Sequence, residues 1–482
     1  MAIARTALGD LSGTEEDGVA VFRGVPYAAA PVGELRFVPP QAVPAWTGRR
    51  DASRHGPIAS QMPSRLRAAM GDFDCPQNED CLTLTIWSPD TAQGSRPVLV
   101  WLHGGAWISG AGSLDWYDGA RLAREGDVVV VGVNYRLGAL GFLCLPGVAD
   151  GTLGWLDQVA ALRWVRAHIA GFGGDPQRVT VMGQSAGAAS IGLMLADEVV
   201  RGLFQRVILQ SGGFGRAALT PAQASLTGEA FVRALGLDLD DGGLPARLRD
   251  VPVAEILAAQ VQVGRAKARF GETMPPFPPV ALRPANPAEG AAGKQVLIGA
   301  TREECHAFFA ADPAMAAPAP AQVAERFAAL TGNADALARY HARRPGGSLM
   351  DWLADVSSDH TFLWPAMRLA GAMAAQGASV QAYQFDWAPP ASRFKACHCI
   401  ELPFVFGNLD AWPGAGMLDG GNRVEMEGLS ARIRRAWIGF VRDGSAGEDW
   451  PGYRNEERWT MRLGRVTEPA LDPAGLRWRA GE

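Results

Sequence analysis

The sequence has no apolar run long enough to cross a membrane as a helix. A spanning helix needs roughly 18 consecutive apolar residues, whereas the longest run, residues 128–133, has the length of a buried strand. The first residues, MAIARTALGD, contain no apolar segment followed by a small-residue cleavage site, so we expect no signal peptide. These absences predict a cytoplasmic protein with no membrane partner.

Basic residues are not gathered into a stripe that would bind a phosphate backbone. The chain has 45 Lys and Arg against 50 Asp and Glu, which gives a formal net charge of -5. We therefore expect no nucleic-acid partner. Hydrophobic residues make up 48% of the chain, as is usual for a globular protein that buries a large core.

Cysteine is scarce, with six residues in a chain of 482. In a large cytoplasmic protein such cysteines are expected to be reduced thiols rather than a disulfide framework. The chain also has no repeat with a period of 20 to 50 residues, which excludes a solenoid or a propeller.

Short runs rich in β-branched residues alternate with helical stretches, which predicts an α/β fold with a mostly parallel sheet. The predicted strands are 98–102, 128–133, 179–182, 207–209, 296–298 and 381–385. A strong helix is predicted over 155–170, closed by Gly171. Residues 215–293 and 312–347 are interpreted as insertions over the sheet edge that form part of a cap or pocket wall. We expect one domain over residues 1–482.

The segment Gly183–Gly187, GQSAG, has the G-x-S-x-G pattern of a nucleophile elbow. It follows the predicted strand 179–182 and precedes a run of small residues, 186–194, that predicts a helix. Strand, tight turn and helix are the setting in which a serine is exposed as a nucleophile. The two glycines leave room for the strand and helix to approach, so Ser185 is the candidate nucleophile.

The segment His103–Trp107, HGGAW, follows the predicted strand 98–102 and resembles the HGGG-type segment of esterases. Attack on an ester carbonyl places negative charge on its oxygen, and small residues let backbone N–H groups approach that charge. The predicted oxyanion donors are the N–H groups of Gly105, Ala106 and Ala186.

A serine hydroxyl needs a base, and that base needs an acid to orient it. In chains with a nucleophile elbow of this kind, the acid and then the base follow the serine in sequence. His398 lies after the late predicted strand 381–385, while three rival histidines cannot be rejected from chain order: His306, His341 and His360. For the acid, Glu303 and Glu304 both follow the predicted strand 296–298, so the residues leave this choice open.

A series of motifs across most of the chain resembles the type B carboxylesterases, the family that contains the cholinesterases, and is most similar to bacterial para-nitrobenzyl esterases. The motifs are FRGVPYA at 22–28, PVGELRF at 31–37, NEDCLTL at 78–84, HGGAW at 103–107, NYRLG at 134–138, FGGDP at 172–176 and QSG at 210–212. The resemblance implies an α/β-hydrolase fold with a mostly parallel central sheet flanked by helices and with cap insertions.

The same resemblance implies a role for individual residues. It assigns the acid to Glu304, the base to His398 and a supporting hydroxyl to Ser211. The implied activity is a serine carboxylesterase that hydrolyses neutral carboxylic esters through an acyl-enzyme on Ser185. Members of this type need no cofactor and no metal, and the expected partner is a small-molecule ester. We expect a monomer or a small homo-oligomer.

The sequence departs from the family pattern beside the predicted triad. Gln184 stands where a glutamate is usual, which removes a negative charge next to the nucleophile. Three cysteines lie near the acid and the base: Cys305, Cys397 and Cys399. We interpret them as small buried hydrophobic residues rather than as oxidant-sensitive or metal-binding thiols. Trp107, Phe308, Phe309 and Trp387 are candidate pocket walls, although the last three are more typical of core.

Two further functions use the same residues. An amidase or a thioesterase would need the same triad, because fold and triad do not distinguish leaving groups. A non-catalytic binding protein on the same fold would not need Ser185, Glu304 and His398, and their presence counts against it.

Overall fold

Apolar side chains on both faces of the central strands explain why the sheet is buried. Along residues 96–102, Val98, Val100 and Leu102 pack into the core on one face, and Leu99 and Trp101 pack into the core on the other. Such continuous apolar runs are typical of parallel strands that are covered on both sides. The computed structural model describes residues 1–92, 95–216, 219–280, 286–333 and 336–475.

The described residues form fifteen strands. They are β1 (Ala2–Thr6), β2 (Gly9–Glu16), β3 (Val19–Pro26), β4 (Arg49–Asp51), β5 (Thr83–Ser88), β6 (Arg96–Leu102), β7 (Val129–Val133), β8 (Cys144–Leu145), β9 (Ala149–Asp150), β10 (Gly174–Gln184), β11 (Arg206–Gln210), β12 (Gln295–Thr301), β13 (Ser379–Phe385), β14 (Trp459–Leu463) and β15 (Thr467–Leu471).

Thirteen of these strands form one sheet. Its order is β1-β2-β3-β5-β7-β6-β10-β11-β12-β13-β14-β15, with β4 paired to β2, while β8 and β9 form a separate hairpin. The pairs from β7 through β14 are parallel, and the pairs outside that block are antiparallel apart from β2 with β4. The predicted mostly parallel sheet is therefore confirmed.

The described residues also form sixteen α-helices. They are α1 (Arg67–Met70), α2 (Ala120–Gly126), α3 (Gly138–Phe142), α4 (Leu153–His168), α5 (Ala186–Ala196), α6 (Pro221–Ala234), α7 (Leu244–Asp250), α8 (Val253–Lys267), α9 (Pro287–Gly290), α10 (His306–Phe309), α11 (Pro320–Thr331), α12 (Ala336–Arg343), α13 (Leu349–Ser358), α14 (Trp364–Ala375), α15 (Leu402–Phe406) and α16 (Arg423–Asp443).

Helices cover both faces of the sheet. The apolar sides of α4, α5 and α14 belong to the core on one face, and those of α2, α15 and α16 belong to the core on the other. The predicted flanking helices are confirmed. Among the described residues, no helix is both long and apolar enough to span a bilayer.

The six predicted strands coincide with β6, β7, β10, β11, β12 and β13, and the predicted helix 155–170 coincides with α4. The predicted end of that helix was wrong. The α-helix stops at His168, continues as a 3-10 turn over Ile169–Phe172 and ends at Gly173, which has φ +83°. Gly171 instead packs against the carbonyl of Arg5, where a side chain would not fit.

Of the two predicted insertions, 215–293 contains α6 to α9 and supplies walls to the cavities described below. The segment 312–347 contains α11 and α12, which pack against α13, and its described residues line neither of those cavities. Residues 217–218, 281–285 and 334–335 of these segments lie outside the described residues. The single domain over 1–482 stays a prediction.

Buried ion pairs join the sequence motifs to one another. Arg36 forms two hydrogen bonds with the carboxylate of Glu79, at 2.7 and 2.5 Å, so two motifs near the N-terminus meet. Arg136 of the NYRLG motif binds Asp157 of α4 through Nε at 2.8 Å and Nη2 at 2.7 Å, and both side chains are buried. The arginines of these motifs therefore fix loops to the core through ion pairs.

We expect Asp157→Ala to lower the free energy of unfolding by about 3–5 kcal/mol, because it leaves the guanidinium of Arg136 buried without its counter-charge. The control is Asp410→Ala, which breaks an exposed ion pair with Arg423 and should change the free energy little. Urea unfolding followed by circular dichroism measures both. Equal small effects would mean that the Arg136–Asp157 pair does not stabilise the fold.

Candidate active site

The carboxyl ends of the parallel strands carry the residues that the motifs single out. The HGGAW loop follows β6, Ser185 follows β10, Ser211 follows β11, and the Thr301–Glu304 loop begins at the end of β12. In an open α/β sheet the ligand crevice lies at this edge, since the loops after parallel strands meet there. The sheet thus brings four distant segments of the chain to one place.

Ser185 occupies a strained turn between β10 and α5. Its backbone has φ 54° and ψ -117°, in the left-handed region that non-glycine residues rarely adopt. A Cβ added to Gly183 would lie 2.6 Å from the carbonyl carbon of Gly187, and one added to Gly187 would overlap the carbonyl of Leu102. The two glycines of the motif are therefore needed for the turn to pack under the HGGAW loop.

The HGGAW loop folds directly over the nucleophile turn. Gly105, Ala106 and Trp107 have φ of 103°, 55° and 56°, and a Cβ added to Gly104 would lie 3.1 Å from Cβ of Ser185. His103 stacks on Tyr135 with ring centroids 4.3 Å apart, and burial lowers its pKa to about 4. Neutral His103 thus fixes the start of the loop and leaves its small residues beside Ser185.

Three backbone N–H groups near Ser185 have no internal acceptor. Within the described residues, no carbonyl or side chain accepts a hydrogen bond from the N–H of Gly105, Ala106 or Ala186. Ala186 is the first residue of α5, whose dipole also places positive potential there. Unpaired donors beside a serine are suited to an oxygen that acquires negative charge.

His398 and Glu304 are joined by a buried hydrogen bond. Nδ1 of His398 donates to Oε2 of Glu304, and both side chains are at most 1% exposed. The other carboxylate oxygen accepts from the N–H of Thr301 at 2.8 Å, and the N–H of His398 donates to the carbonyl of Glu304 at 3.1 Å. A proton held on Nδ1 leaves Nε2 as an acceptor on the open side of the ring.

Glu303, the rival acid, is used elsewhere. It accepts hydrogen bonds from Arg344 at 3.0 Å and from the N–H of Ala396 at 3.1 Å. Burial by itself would raise the pKa of Glu303, but the charges of Arg302, His306 and Arg344 lower it to about 2. Glu303 therefore anchors the loop that carries His398 and does not contact the imidazole.

The rival histidines also have other partners. Nε2 of His306 lies 3.2 Å from Asp351, and the rings of His341 and His360 contact Trp352 and Trp364 respectively. None of the three lines the cavity that contains Ser185 and His398. Of the four candidate histidines, His398 is the one that lines this cavity, and its role as the base stays a prediction.

Gln184 and Ser211 both lie close to the triad, although their contacts differ. The side-chain amide nitrogen of Gln184 lies 3.3 Å from Nε2 of His398, so the amide donates to the atom that a base would offer to Ser185. Ser211 is fully buried with φ 49°, and no residue that the structure describes forms a hydrogen bond with its hydroxyl. The supporting role of Ser211 stays a prediction.

Glu401 is a further buried carboxyl that the sequence did not single out. Gln210 donates to its Oε1 at 3.3 Å, while Oε2 has no hydrogen-bond partner in the described part of the chain. Burial, reinforced by the charge of Glu304, raises the pKa of Glu401 to about 8. The sequence offered one signal, because Glu401 lies three residues after His398 and directly before the short helix α15. Only the fold shows that its buried carboxyl lies near Glu304.

Two cavities meet at Ser185. A narrow cleft of about 40 Å³ also includes His398, Gln184, Gly105 and Ala106, with apolar walls from Met70, Phe73, Trp116, Tyr117 and Phe308. A larger chamber of about 480 Å³ includes Ala186, Trp107 and Phe214. Of the predicted walls, Trp107 and Phe308 line a cavity, whereas Phe309 and Trp387 are core residues.

The six cysteines are free thiols, and the three near the triad are buried. Burial raises the pKa of Cys305 to about 12 and holds the pKa values of Cys397 and Cys399 well above their usual range. Buried, protonated thiols behave as small hydrophobic residues, which supports the favoured interpretation for Cys305 and Cys397. Cys399 is buried as well but lines the narrow cleft. Within the described residues, no group of three His, Cys, Asp or Glu side chains is arranged to hold a metal ion.

The model of the carboxylesterase family matches residues 1–472. The chain belongs to this family. The family match and the similarity to known carboxylesterases show that the protein is a serine carboxylesterase. It is a carboxylic ester hydrolase with the α/β-hydrolase fold. The predicted resemblance, fold and activity are thereby confirmed.

Relatives resemble this carboxylesterase over nearly its whole length. The para-nitrobenzyl esterase of Bacillus subtilis (strain 168) is 38% identical over 98% of this chain and 96% of its own length. The phenmedipham hydrolase of Pseudarthrobacter oxydans is 39% identical over 96% and 95%. A solved carboxylesterase from Geobacillus stearothermophilus is 38% identical with a TM-score of 0.87, and it covers 100% of this chain and 99% of its own.

Glu401 makes the stability of the carboxylesterase depend on pH. The folded protein keeps this carboxyl protonated up to about pH 8, whereas an ordinary glutamate ionises near 4.5. Unfolding therefore releases a proton between these values, and stability falls as pH rises across that window. We expect Glu401→Gln to reduce this fall by a few kcal/mol while retaining the contact with Gln210.

Urea unfolding of the wild type and Glu401→Gln at several pH values from 5 to 8 measures this effect. The two curves of unfolding free energy against pH should diverge toward higher pH, with the variant the more stable. Parallel curves would mean that Glu401 is ionised in the folded protein.

Proposed function

We propose that Ser185 is the nucleophile, His398 the general base and acid, and Glu304 the carboxylate that orients the imidazole. The observation that carries this assignment is the buried hydrogen bond between His398 and Glu304, with the ring and Ser185 lining the same cleft. A buried carboxylate stabilises the imidazolium that forms when the ring takes a proton, and it holds the tautomer that offers Nε2.

Acylation begins when Nε2 of His398 takes the hydroxyl proton of Ser185 and the serine oxygen attacks the ester carbonyl. In the resting site the amide of Gln184 donates to that nitrogen. This hydrogen bond must break before the hydroxyl of Ser185 can donate to Nε2. We propose that the N–H groups of Gly105, Ala106 and Ala186 then donate to the negative oxygen of the tetrahedral intermediate.

Acylation ends when the imidazolium of His398 gives its proton to the departing alcohol, and the acyl group stays on Ser185 as an ester. Deacylation repeats the chemistry with water, which loses a proton to Nε2 and attacks the acyl-enzyme. The imidazolium then returns that proton to the oxygen of Ser185 as the second tetrahedral intermediate collapses and the acid departs. The cycle consumes one water and needs no cofactor.

Neutral esters of modest size stay the predicted substrates. The aromatic side chains Phe73, Trp116 and Tyr117 in the cleft are suited to a ring, and the relatives named para-nitrobenzyl esterases support an ester of a benzylic alcohol. Amidase and thioesterase activity stay alternatives on the same triad. A cytoplasmic location and a monomer or small homo-oligomer likewise stay predictions.

We expect Ser185→Ala to lower kcat for para-nitrophenyl acetate and butyrate by about 10⁴-fold or more, because no other group can form the acyl-enzyme. Release of para-nitrophenol measures the rate, and circular dichroism checks that the variant is folded. Turnover that survives in folded Ser185→Ala would identify a different nucleophile. A folded wild type without turnover on either ester would contradict the proposed function.

The adjacent glutamates provide a matched pair. We expect Glu304→Gln to lower kcat by about 10⁴-fold, because an amide favours the wrong tautomer of His398. Glu303→Gln should keep kcat within about tenfold and instead lower the stability, since it weakens the bond to Arg344. Steady-state kinetics and thermal unfolding of both variants test this. A larger loss of kcat in Glu303→Gln would reassign the acid.

A further inference from the structure

The two cavities that meet at Ser185 are lined by cations. Arg65 lines the cleft, Arg368 lines the larger chamber, and Arg216 lines both. Among the described residues, no aspartate or glutamate lines either cavity. The described linings of both cavities therefore carry an excess of positive charge.

Arg65 and Arg216 converge on one residue. Nη2 of Arg65 donates to the carbonyl oxygen of Thr273 at 3.1 Å, and Nη2 of Arg216 donates to the hydroxyl of Thr273. Burial lowers the pKa of Arg216 to about 10, and the neighbouring charge of Arg65 adds to this effect. Two like charges are thus held close together, and both remain charged at neutral pH.

Neither guanidinium forms an ion pair with any residue that the structure describes. The carboxylate nearest in sequence to their shared contact, Glu272, pairs instead with Arg326 at 3.2 Å. Elsewhere the fold gives arginines such as Arg136 and Arg344 a buried carboxylate. Arg65 is exposed and Arg216 is half-buried, so both guanidinium groups can reach an anion that enters the cavities. A charge partly removed from water is stabilised by a counter-charge, and the described residues supply none to Arg216.

The pair lies close to the reacting groups. The guanidinium carbon of Arg65 is 5.9 Å from the ring centroid of Phe308, and that of Arg216 is 5.4 Å from that of Phe362. These two rings contact His398 with centroids 5.3 and 4.9 Å from the imidazole. One aromatic ring therefore separates each cation from the base.

The alternative is that both arginines only complete the wall by contacting Thr273 and the two phenylalanine rings. Cation–π attraction to the two rings is part of such a role. It does not supply either guanidinium with an acidic partner, and among the described residues neither has one. Gln184, next to the imidazole, is neutral as well, so no carboxylate there repels an anion. Arginine is also the side chain best suited to bind a carboxylate, through paired N–H donors.

We propose that the cationic wall, defined as Arg65 and Arg216, binds a carboxylate of the substrate, and that the enzyme prefers esters bearing a carboxylate a few carbons from the scissile bond. This proposal rests on the proposed ester hydrolysis at Ser185. The carboxylate can belong to the acyl chain or to the alcohol, and matched substrates distinguish the two.

The acyl arm compares mono-4-nitrophenyl adipate with 4-nitrophenyl hexanoate, which have the same leaving group and chain length but differ in one charge. The alcohol arm compares 3-(butanoyloxy)benzoate with 3-(butanoyloxy)benzamide. The measured quantity is the ratio of kcat/KM for the anionic ester to kcat/KM for its neutral partner. We expect a ratio above one in at least one arm, and a ratio that falls with added salt.

Arg65→Met and Arg216→Met remove each charge while keeping an unbranched side chain. Each should lower the ratio about tenfold or more, the effect of losing a hydrogen bond between charged groups. The control is Arg67→Met, which removes the same charge from an exposed residue of α1 that lines neither cavity and should leave the ratio unchanged. Arg216→Lys should retain part of the preference.

The wild type provides a test that needs no folded variant. Adipate should inhibit hydrolysis of 4-nitrophenyl hexanoate competitively and more strongly than the neutral 1,6-hexanediol. Ratios of one or less in both arms, or ratios that the Arg67→Met control lowers as much as Arg216→Met does, would overturn the proposal. If the wild type hydrolysed neither member of either pair, the esterase function itself would fail.

Discussion

The turn at Ser185 is the constraint on which the rest of the site depends. A left-handed backbone at a serine is unfavourable, and it persists because β10, α5 and the HGGAW loop hold it from three sides. The same crowding admits no side chain at Gly183 or Gly187. The turn also places the N–H of Ala186 next to Ser185, so the proposed nucleophile and one proposed oxyanion donor belong to the same turn.

Charge around this turn is divided between two buried carboxyl groups and the arginines of the cavity walls. Glu304 holds the imidazole of His398, and Glu401 stays protonated because burial, reinforced by the charge of Glu304, raises its pKa. Arg65, Arg216 and Arg368 line the cavities, where no described carboxylate joins them. In the proposed mechanism the carboxylate of Glu304 stabilises the imidazolium, and the proposed cationic wall binds the carboxylate of the substrate.

Local signals predicted much of this architecture. β-branched runs gave the central strands, because parallel strands buried on both faces need apolar residues throughout. The G-x-S-x-G segment and the HGGAW segment were recognisable because steric limits act on neighbouring residues. The predicted end of α4 was wrong. Gly171 does not end the helix but packs against the carbonyl of Arg5, where a side chain would not fit. That approach joins residues far apart in sequence.

The sequence by itself predicted the central strands, the helix α4, the turn at Ser185, the loop of small residues and the family of the chain. Each of these depends on neighbouring residues or on motifs that lie in a fixed order along the chain. Chain order alone left Glu303 and three other histidines as rivals, and only the family resemblance favoured Glu304 and His398. Tertiary structure shows that Glu304 and His398 contact each other, and it brings Arg65, Arg216 and Glu401 near them. Such contacts arise between segments far apart in sequence, and no local pattern encodes them.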